Sequence, residues 1–501
     1  MVGLAALPLH SVISCTAVVA RHLMKGLGLV CLVVSGFLGV LCSPLHSIAW
    51  VGSFPSTKTT EPLSRIKALP LSTLSLVSLP LEFSNKVAPK RIKTMLSAKD
   101  TAAKSNNNKV IQWGIIGLGD VCTTKAGPAF YKSHGSNLSA VMRRTPGMAQ
   151  SWIDANTKQN RFPDEIAHSM RAFESVDAML SEVDLDALYV STPPGAHLQV
   201  IHQIVAATTS SATKPKAVYV EKPCGRCAWE TRAIIDELSQ RNILFFPAYV
   251  SLAHERTQKL QELLQNQVCG DKITRIKYTQ RGTSFARGLD GDGIPWRLDA
   301  KQSGGGLIMD MGCHILSRID HLLGPIVDVK SIVLRKGGGD PSTAKTYPLV
   351  EDFVSMSATI GKRDWSTIQA EGAKVECIWD FAPPDKESDT VIDEDELVIE
   401  GSKGALLMAG MSPGMPIKVL DENGINVQTI EFEPPQHSAQ RLIQSIVYEL
   451  NGETDLKCSA TASNAIRTSD VLDAILSSYY GGRHDEFWTR DESWPGLKAS
   501  A

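Results

Sequence analysis

VIQWGIIGLGDVCTTKAGPAFYKS, residues 110–133, decides how this chain of 501 residues is to be read. Residues 110–116 form a short apolar run, Gly117-Leu118-Gly119 a tight turn, and the residues behind it can continue as a helix. The order is strand, glycine turn, helix. Glycine at 117 and 119 lets the backbone approach a pyrophosphate, and the free N–H groups and dipole of the helix start, at Asp120 and Val121, hold the anion. Cys122 takes the third place of the G-x-G-x-x-G pattern, where glycine or alanine is usual, and is small enough for helix and strand to pack closely. Such a match alone is weak, because ordinary glycine turns look the same.

The sequence on its C-terminal side strengthens it. Residues 136–142 (SNLSAVM) read as a second apolar strand, and they end in Arg143-Arg144-Thr145-Pro146. In NAD enzymes a carboxylate roughly 20 residues past the first glycine grips the ribose 2'-hydroxyl, whereas arginine there accommodates a 2'-phosphate. Arginine at 143 and 144 therefore favours NADP(H), with NAD(H) still possible. The alternation then continues. Residues 184–192 form a strand to Thr192, Pro193-Pro194-Gly195-Ala196-His197 opens a helix, residues 216–223 form a strand to Pro223, residues 228–240 a helix and residues 242–249 a strand. Strands alternating with helices of this length make a parallel, doubly wound sheet with its ligand at the C-terminal strand ends. Glu221-Lys222-Pro223 closes one of those strands. Charges at the end of an apolar strand must be solvated or paired, and an ammonium beside a nicotinamide pocket can polarise a carbonyl or alcohol oxygen.

The N-terminal flank is different in kind. Residues 1–99 carry ten basic side chains against Glu61 and Glu82, leaving 41 basic and 51 acidic residues, a net charge of -10, in residues 100–501. Behind Arg21 and Lys25 runs an uncharged apolar stretch, residues 26–42, stopped by Pro44; residues 51–99 are rich in Ser, Thr, Leu and Lys. A signal-like core followed by a transit-like stretch reads as a two-part address to a plastid. A signal anchor in the endomembrane system, a mitochondrial address, or a cytosolic protein translated from Met95 are the other readings. Residues 105–108, with three consecutive Asn, read as a linker, so the expected organisation is leader and linker over 1–108, a dinucleotide-binding domain over 109–247 and a second domain over 248–496.

That second domain reads as α+β. Residues 272–280, 327–335, 351–360, 366–372, 373–381 and 395–408 are strand-like segments between Gly, Pro and Asp turns. Residues 461–480 return to helix, with Ala465, Ile466, Val471, Leu472, Ile475 and Leu476 at spacings of three and four.

Several segments in order carry a family resemblance: GIIGLG at 114–119, STPPGAH at 191–197, VEKP at 220–223 and PWRLDAKQSGGGLIMDMGCHILSRIDHLLGPI at 295–326. It extends through IEGSKGALLM at 399–408, RLIQSIVYELNG at 441–452 and the tail at 479–496. The chain resembles the Gfo/Idh/MocA family of glucose-fructose oxidoreductase, inositol dehydrogenase and dihydrodiol dehydrogenase-like proteins. The resemblance implies a Rossmann domain followed by an α+β domain whose open, mostly antiparallel sheet faces the cofactor cleft or a neighbouring subunit, giving a homodimer or homotetramer.

It also implies the chemistry. Lys222, Asp310 and His314 match the family's catalytic positions, and spacing supports the last two: residues i and i+4 share a helix face, entered here through Gly304-Gly305-Gly306, which can approach a ligand without Cβ interference. Lys222 would stabilise a developing alkoxide, His314 would move the hydroxyl proton, and Asp310 would position substrate or histidine. Trp296-Arg297 resembles a family element near cofactor and substrate, although a surface Trp-Arg stack reads equally well. Tyr249 is a candidate substrate contact, but this chain has AYVSLAH where relatives often have a tyrosine followed by arginine. Ser317 likewise stands where many relatives place an acid.

Composition bounds the rest. With 43% hydrophobic and 21% charged residues, the chain is neither wholly disordered, collagen-like nor a polytopic membrane protein. A net charge of -2 gives no basic face for nucleic acid, no membrane association is expected of the mature domains, and neither cysteine nor histidine spacing makes a metal site. Cys224 and Cys227 form a C-x-x-C immediately after Lys222, two thiols open to a redox role or to none. The expected function is reversible hydride transfer between nicotinamide and a hydroxyl or carbonyl carbon of a small molecule: a sugar, cyclitol, dihydrodiol or related compound. The alternative is a non-catalytic dinucleotide- or sugar-binding sensor on the same fold.

Overall fold

The computed structural model describes residues 33–34, 37–38, 109–210, 214–282, 294–337, 349–363, 367–382, 393–490 and 494–499. The leader and linker expected over 1–108 lie outside the described residues, apart from a short ladder in which Val33–Val34 pairs with Phe37–Leu38. The described residues from 109 onward belong to one compact unit. Among the described residues no helix is long and apolar enough to cross a membrane.

Six short strands build the first sheet: β1 (Ile111–Ile116), β2 (Ser136–Met142), β3 (Arg171–Phe173), β4 (Ala187–Val190), β5 (Ala217–Val220) and β6 (Leu244–Pro247). They pair in parallel in the order β3-β2-β1-β4-β5-β6. All residues of β4 and β5 are buried, as continuous apolar runs in a sheet covered on both faces must be. The order reverses between β1 and β4, which places the ligand crevice above their C-terminal ends.

The second sheet has eight strands: β7 (Ile273–Arg281), β8 (Ile326–Leu334), β9 (Phe353–Ile360), β10 (Lys374–Asp380), β11 (Glu394–Gly401), β12 (Gly404–Met408), β13 (Ile417–Asp421) and β14 (Asn426–Ile430). Their order is β8-β9-β10-β7-β11-β12-β13-β14, antiparallel except for the β10/β7 pair. The fold is thus a Rossmann sheet followed by an open, mostly antiparallel sheet, as expected.

One strand expectation fails, and two strands were not expected. Residues 367–372 form no strand: Gln369 makes an isolated bridge to Lys272 and Gly372 N donates to Ile360 O at 2.8 Å, because a turn through Gly372 (φ +77°) makes this stretch the connection from β9 to β10. Strands β13 and β14 went unread, since four of the five residues of β14 are exposed and offer no alternation.

One face of the second sheet is buried. In β7, Ile273, Ile276 and Tyr278 point into the core, and helix Ala462–Tyr480 packs against both β8 and the Rossmann helix Ala228–Gln240. Thr461 caps that helix by accepting from Asn464 N at 3.2 Å. The opposite face is polar and part-exposed, with Arg275 paired to Glu376 and Lys277 to Glu400 across neighbouring strands.

Candidate active site

The glycine turn does what its sequence requires. Gly117 has φ +93°, and a Cβ there would stand 2.9 Å from the Thr192 side chain, so only glycine fits between β1 and β4. Around Gly119 a Cβ would meet nothing within 4 Å, leaving the open cradle that a pyrophosphate fills. Cys122 is fully buried beneath it, its thiol 3.0 Å from Ser191 Oγ. The helix start is wider than the sequence indicates: residues Cys122–Ala126 make a π turn before the α-helix Gly127–Lys132.

Two adjoining cavities run along this edge. One of about 320 Å³ is lined by Gly117, Gly119, Arg143, Arg144, Thr145 and Gln199, among others. Its described lining holds two arginines and no carboxylate. The second, of about 120 Å³, is lined by Asp120, Val121, Glu221, Lys222, Trp296, Arg297 and Asp310; Thr192 and Pro193 border both. The buried hydroxyl of Thr192 has no partner among the described residues. An open glycine cradle, an unpartnered hydroxyl and adjacent guanidiniums match the donor set a dinucleotide requires. Pro194 begins the helix Pro194–Ser210 at the rim.

At the inner end stands an ion pair. Lys222 precedes a cis proline and projects its ammonium to Asp310, donating to Oδ1 at 2.5 Å and to the backbone carbonyl at 2.9 Å. Asp310 lies in a second π turn, Ile308–Gly312, just before the helix Cys313–Leu323. Burial pushes its carboxyl up, but Lys222 and then Arg297 outweigh that and hold its pKa at about 2. Burial likewise opposes the Lys222 ammonium, and Asp310 prevails, raising it. Both groups are charged at neutral pH. Burial, then Lys222, lowers the pKa of His314 well below the usual range, so its ring is neutral, and Nδ1 has no partner among the described residues. A neutral imidazole can accept a proton, but this nitrogen is covered and His314 borders neither cavity.

Several expectations change. Asp310 is engaged by Lys222 and Arg297, so positioning substrate or histidine is secondary to holding the lysine. His197 is not a cofactor contact: it is fully buried, its ring nitrogens 2.9 and 2.7 Å from the carbonyls of Cys224 and Thr192, and it ties two strand ends together. Tyr249 is 1% exposed and borders neither cavity, which removes it as a substrate contact in this conformation. Gly304 and Gly306 serve packing rather than ligand approach, since a Cβ would stand 2.4 Å from Arg226 O and 2.2 Å from Glu351 O respectively. Cys224 and Cys227 are buried free thiols whose pKa burial raises, to about 11 at Cys227, the opposite of a reactive thiolate.

Other supports were not evident in the sequence. Tyr189 donates to Glu221 Oε1 at 2.5 Å while Lys222 N donates to Oε2 at 3.1 Å, so both oxygens of Glu221 are used in fixing the Lys222 backbone. Glu351 accepts from Gly306 N at 2.9 Å and from the Tyr480 hydroxyl at 2.5 Å. Arg483 donates to Gly304 O and Arg226 O, both at 2.6 Å, and to Asp473. An acid pair at the head of an apolar strand, Glu351-Asp352, was the available signal. Among the described residues no group of three or more His, Cys, Asp or Glu is placed to hold a metal.

Comparison with known proteins gives this geometry a class. Residues 111–249 match the oxidoreductase family with an NAD-binding Rossmann fold, and the chain is an NAD(P)-binding oxidoreductase. Residues 257–407 match the GFO/IDH/MocA C-terminal domain; the chain belongs to the Gfo/Idh/MocA family. Oxidoreductase P35 of Formosa agariphila is 26% identical over 376 residues, covering 74% of this chain and 99% of that relative. The fold matches the aldose-aldose oxidoreductase of Caulobacter crescentus, complexed with glycerol, at 20% identity and a TM-score of 0.58, over 75% of this chain and 99% of that one. It also matches a super-repressor mutant of Gal80p from Saccharomyces cerevisiae, at 14% identity and a TM-score of 0.59, over 73% and 95%.

Proposed function

We propose that this protein is an NADP(H)-dependent oxidoreductase that interconverts a hydroxyl and a carbonyl on a sugar, cyclitol, dihydrodiol or related small molecule. The observation that carries the reading is the charged Lys222–Asp310 pair, at 2.5 Å, facing the inner end of a dinucleotide-shaped cleft. The nicotinamide, when bound, supplies or accepts the hydride. The chain's own residues manage the charge and the proton. An ammonium has three N–H bonds, and Lys222 commits two to Asp310, leaving the third for a substrate oxygen on which negative charge develops. His314, neutral beside Lys222, is the group that takes the hydroxyl proton in the oxidative direction and returns it in the other, which requires a ring nitrogen to be uncovered when substrate binds, because His314 borders neither described cavity. Arg143 and Arg144, exposed at the far end of the cleft, support NADP(H) over NAD(H).

A second reading is a non-catalytic dinucleotide- or sugar-binding sensor, because this fold, which a repressor mutant of Gal80p shares, does not fix a function. A protein released from catalysis has no physical need to retain a charged pair and a neutral histidine within reach of each other's fields. Two further readings accompany the main one: the polar open face of the second sheet as the surface of a homodimer or homotetramer, and residues 1–99 as a plastid address, which a fluorescent fusion tests directly.

Lys222→Met separates the functional readings. Turnover over a panel of sugars, cyclitols, dihydrodiols and keto compounds is expected to vanish while NADPH still binds. Unchanged turnover on an active substrate refutes the assignment.

A further inference from the structure

The carboxylate of Asp310 serves two cations. Lys222 takes Oδ1, and Arg297 Nε stands 3.5 Å from Oδ2. Arg297 is itself steadied by the indole of Trp296, its guanidinium carbon 4.2 Å from the ring centroid, and both residues border the same small cavity as Lys222. Asp310 is mostly buried while Arg297 is 38% exposed, so the arginine lies on the outer side of the pair.

We propose that Arg297 is a positioning residue for Lys222 that acts through Asp310; the inference rests on the reading of Lys222 as the group that meets the substrate oxygen. A carboxylate with both oxygens available can rotate, or close on an ammonium with both of them. Arg297 opposes this through its charge beside the outer oxygen, an ion pair at 3.5 Å. Lys222 is then held by one side-chain oxygen and one backbone carbonyl, and its third N–H is directed into the cavity instead of being drawn back to Asp310. Asp310 sits in the π turn Ile308–Gly312, and the plane of its carboxylate is set by the cations it meets rather than by the helix backbone. The role differs from the expected one, in which Arg297 touches the cofactor.

The test compares Arg297→Met and Arg297→Lys in two backgrounds, the parent chain and Asp310→Asn. In the parent background Arg297→Met is expected to lower kcat about tenfold while the NADPH Kd stays within about twofold, and Arg297→Lys to recover most of the loss. In the Asp310→Asn background, with no carboxylate to orient, Arg297→Met is expected to cost nothing further. If the NADPH Kd weakens by as much as kcat falls, Arg297 is a cofactor contact and the proposal is overturned. An equal loss in both backgrounds, or none in the parent, overturns it as well. Should Asp310→Asn lack measurable turnover, the labelling rate of Lys222 by pyridoxal 5'-phosphate and borohydride, read by peptide mass, replaces kcat. Labelling is then expected to be slower in Arg297→Met than in the parent chain and equal in the two Asp310→Asn chains; any other pattern overturns the proposal. Full turnover in Lys222→Met defeats the parent reading instead, whatever Arg297 does.

Discussion

Glu351→Gln is expected to leave the protein's stability unchanged at pH 4 and to raise it at pH 8. The carboxyl is 1% exposed and sits under the glycine loop that delivers Asp310. Burial pushes its pKa from 4.5 to about 7, against the opposing pull of the Tyr480 and Gly306 hydrogen bonds and of Arg483. The folded chain therefore keeps a proton that the unfolded chain gives up over this interval, and stability falls as pH rises from 4.5 to about 7. At about 1.4 kcal/mol for each pH unit, the fall is about 3 kcal/mol. Glutamine has no proton to lose, keeps an oxygen for Gly306 N and offers an amide to the Tyr480 oxygen. Urea midpoints of both chains at half-unit pH steps measure the gap, which is expected to open between pH 4.5 and 7 and then stay constant. Parallel curves, or a variant less stable than the parent at pH 8, refute the reasoning.

The other predictions concern cofactor, loop and thiols. Arg143→Asp with Arg144→Ser is expected to weaken NADPH binding at least about tenfold with little effect on NADH, measured by fluorescence titration; equal effects remove the 2'-phosphate argument. Gly304→Ala places a Cβ 2.4 Å from Arg226 O at φ +87°, so a loss of about 2 kcal/mol or more in urea unfolding is expected, with turnover falling alongside. Cys224→Ser with Cys227→Ser is expected to leave any effect of mild oxidants on turnover as it is in the parent, because both thiols are buried and protonated. A difference between the two chains contradicts that.

How legible the chain was depended on the range of the interaction. The glycine turn, the Rossmann alternation and the strand ends at Thr192 and Glu221 could be read because each is a local consequence of apolar period and backbone sterics. Helix Ala228–Gln240 and strand β2 fall on the expected residues. The residues of the ion pair were visible as candidates, but their pairing was not, since 88 residues separate Lys222 from Asp310 and the i, i+4 argument directed Asp310 toward His314 instead. Asp310 and His314 do lie close enough for each to shift the other's charge state, so the local pairing was legible where the long-range one was not. The π turn at Ile308–Gly312 was not legible either, as a period of 3.6 does not register it. His197 and Tyr249 were misplaced for another reason: motif position locates a residue along the chain, whereas burial is decided by elements that pack on it from elsewhere.

The reach of Arg483 has a consequence for how the molecule is made. This side chain, near the end of the chain, binds Gly304 and Arg226, which flank the two halves of the site, and Tyr480 braces the same loop through Glu351. A ribosome releases the Rossmann half first, and that half can fold and bind dinucleotide early. Lys222 and Asp310 can meet once residue 310 has emerged, but the brace on the two loops that carry them is complete only when Tyr480 and Arg483 have joined.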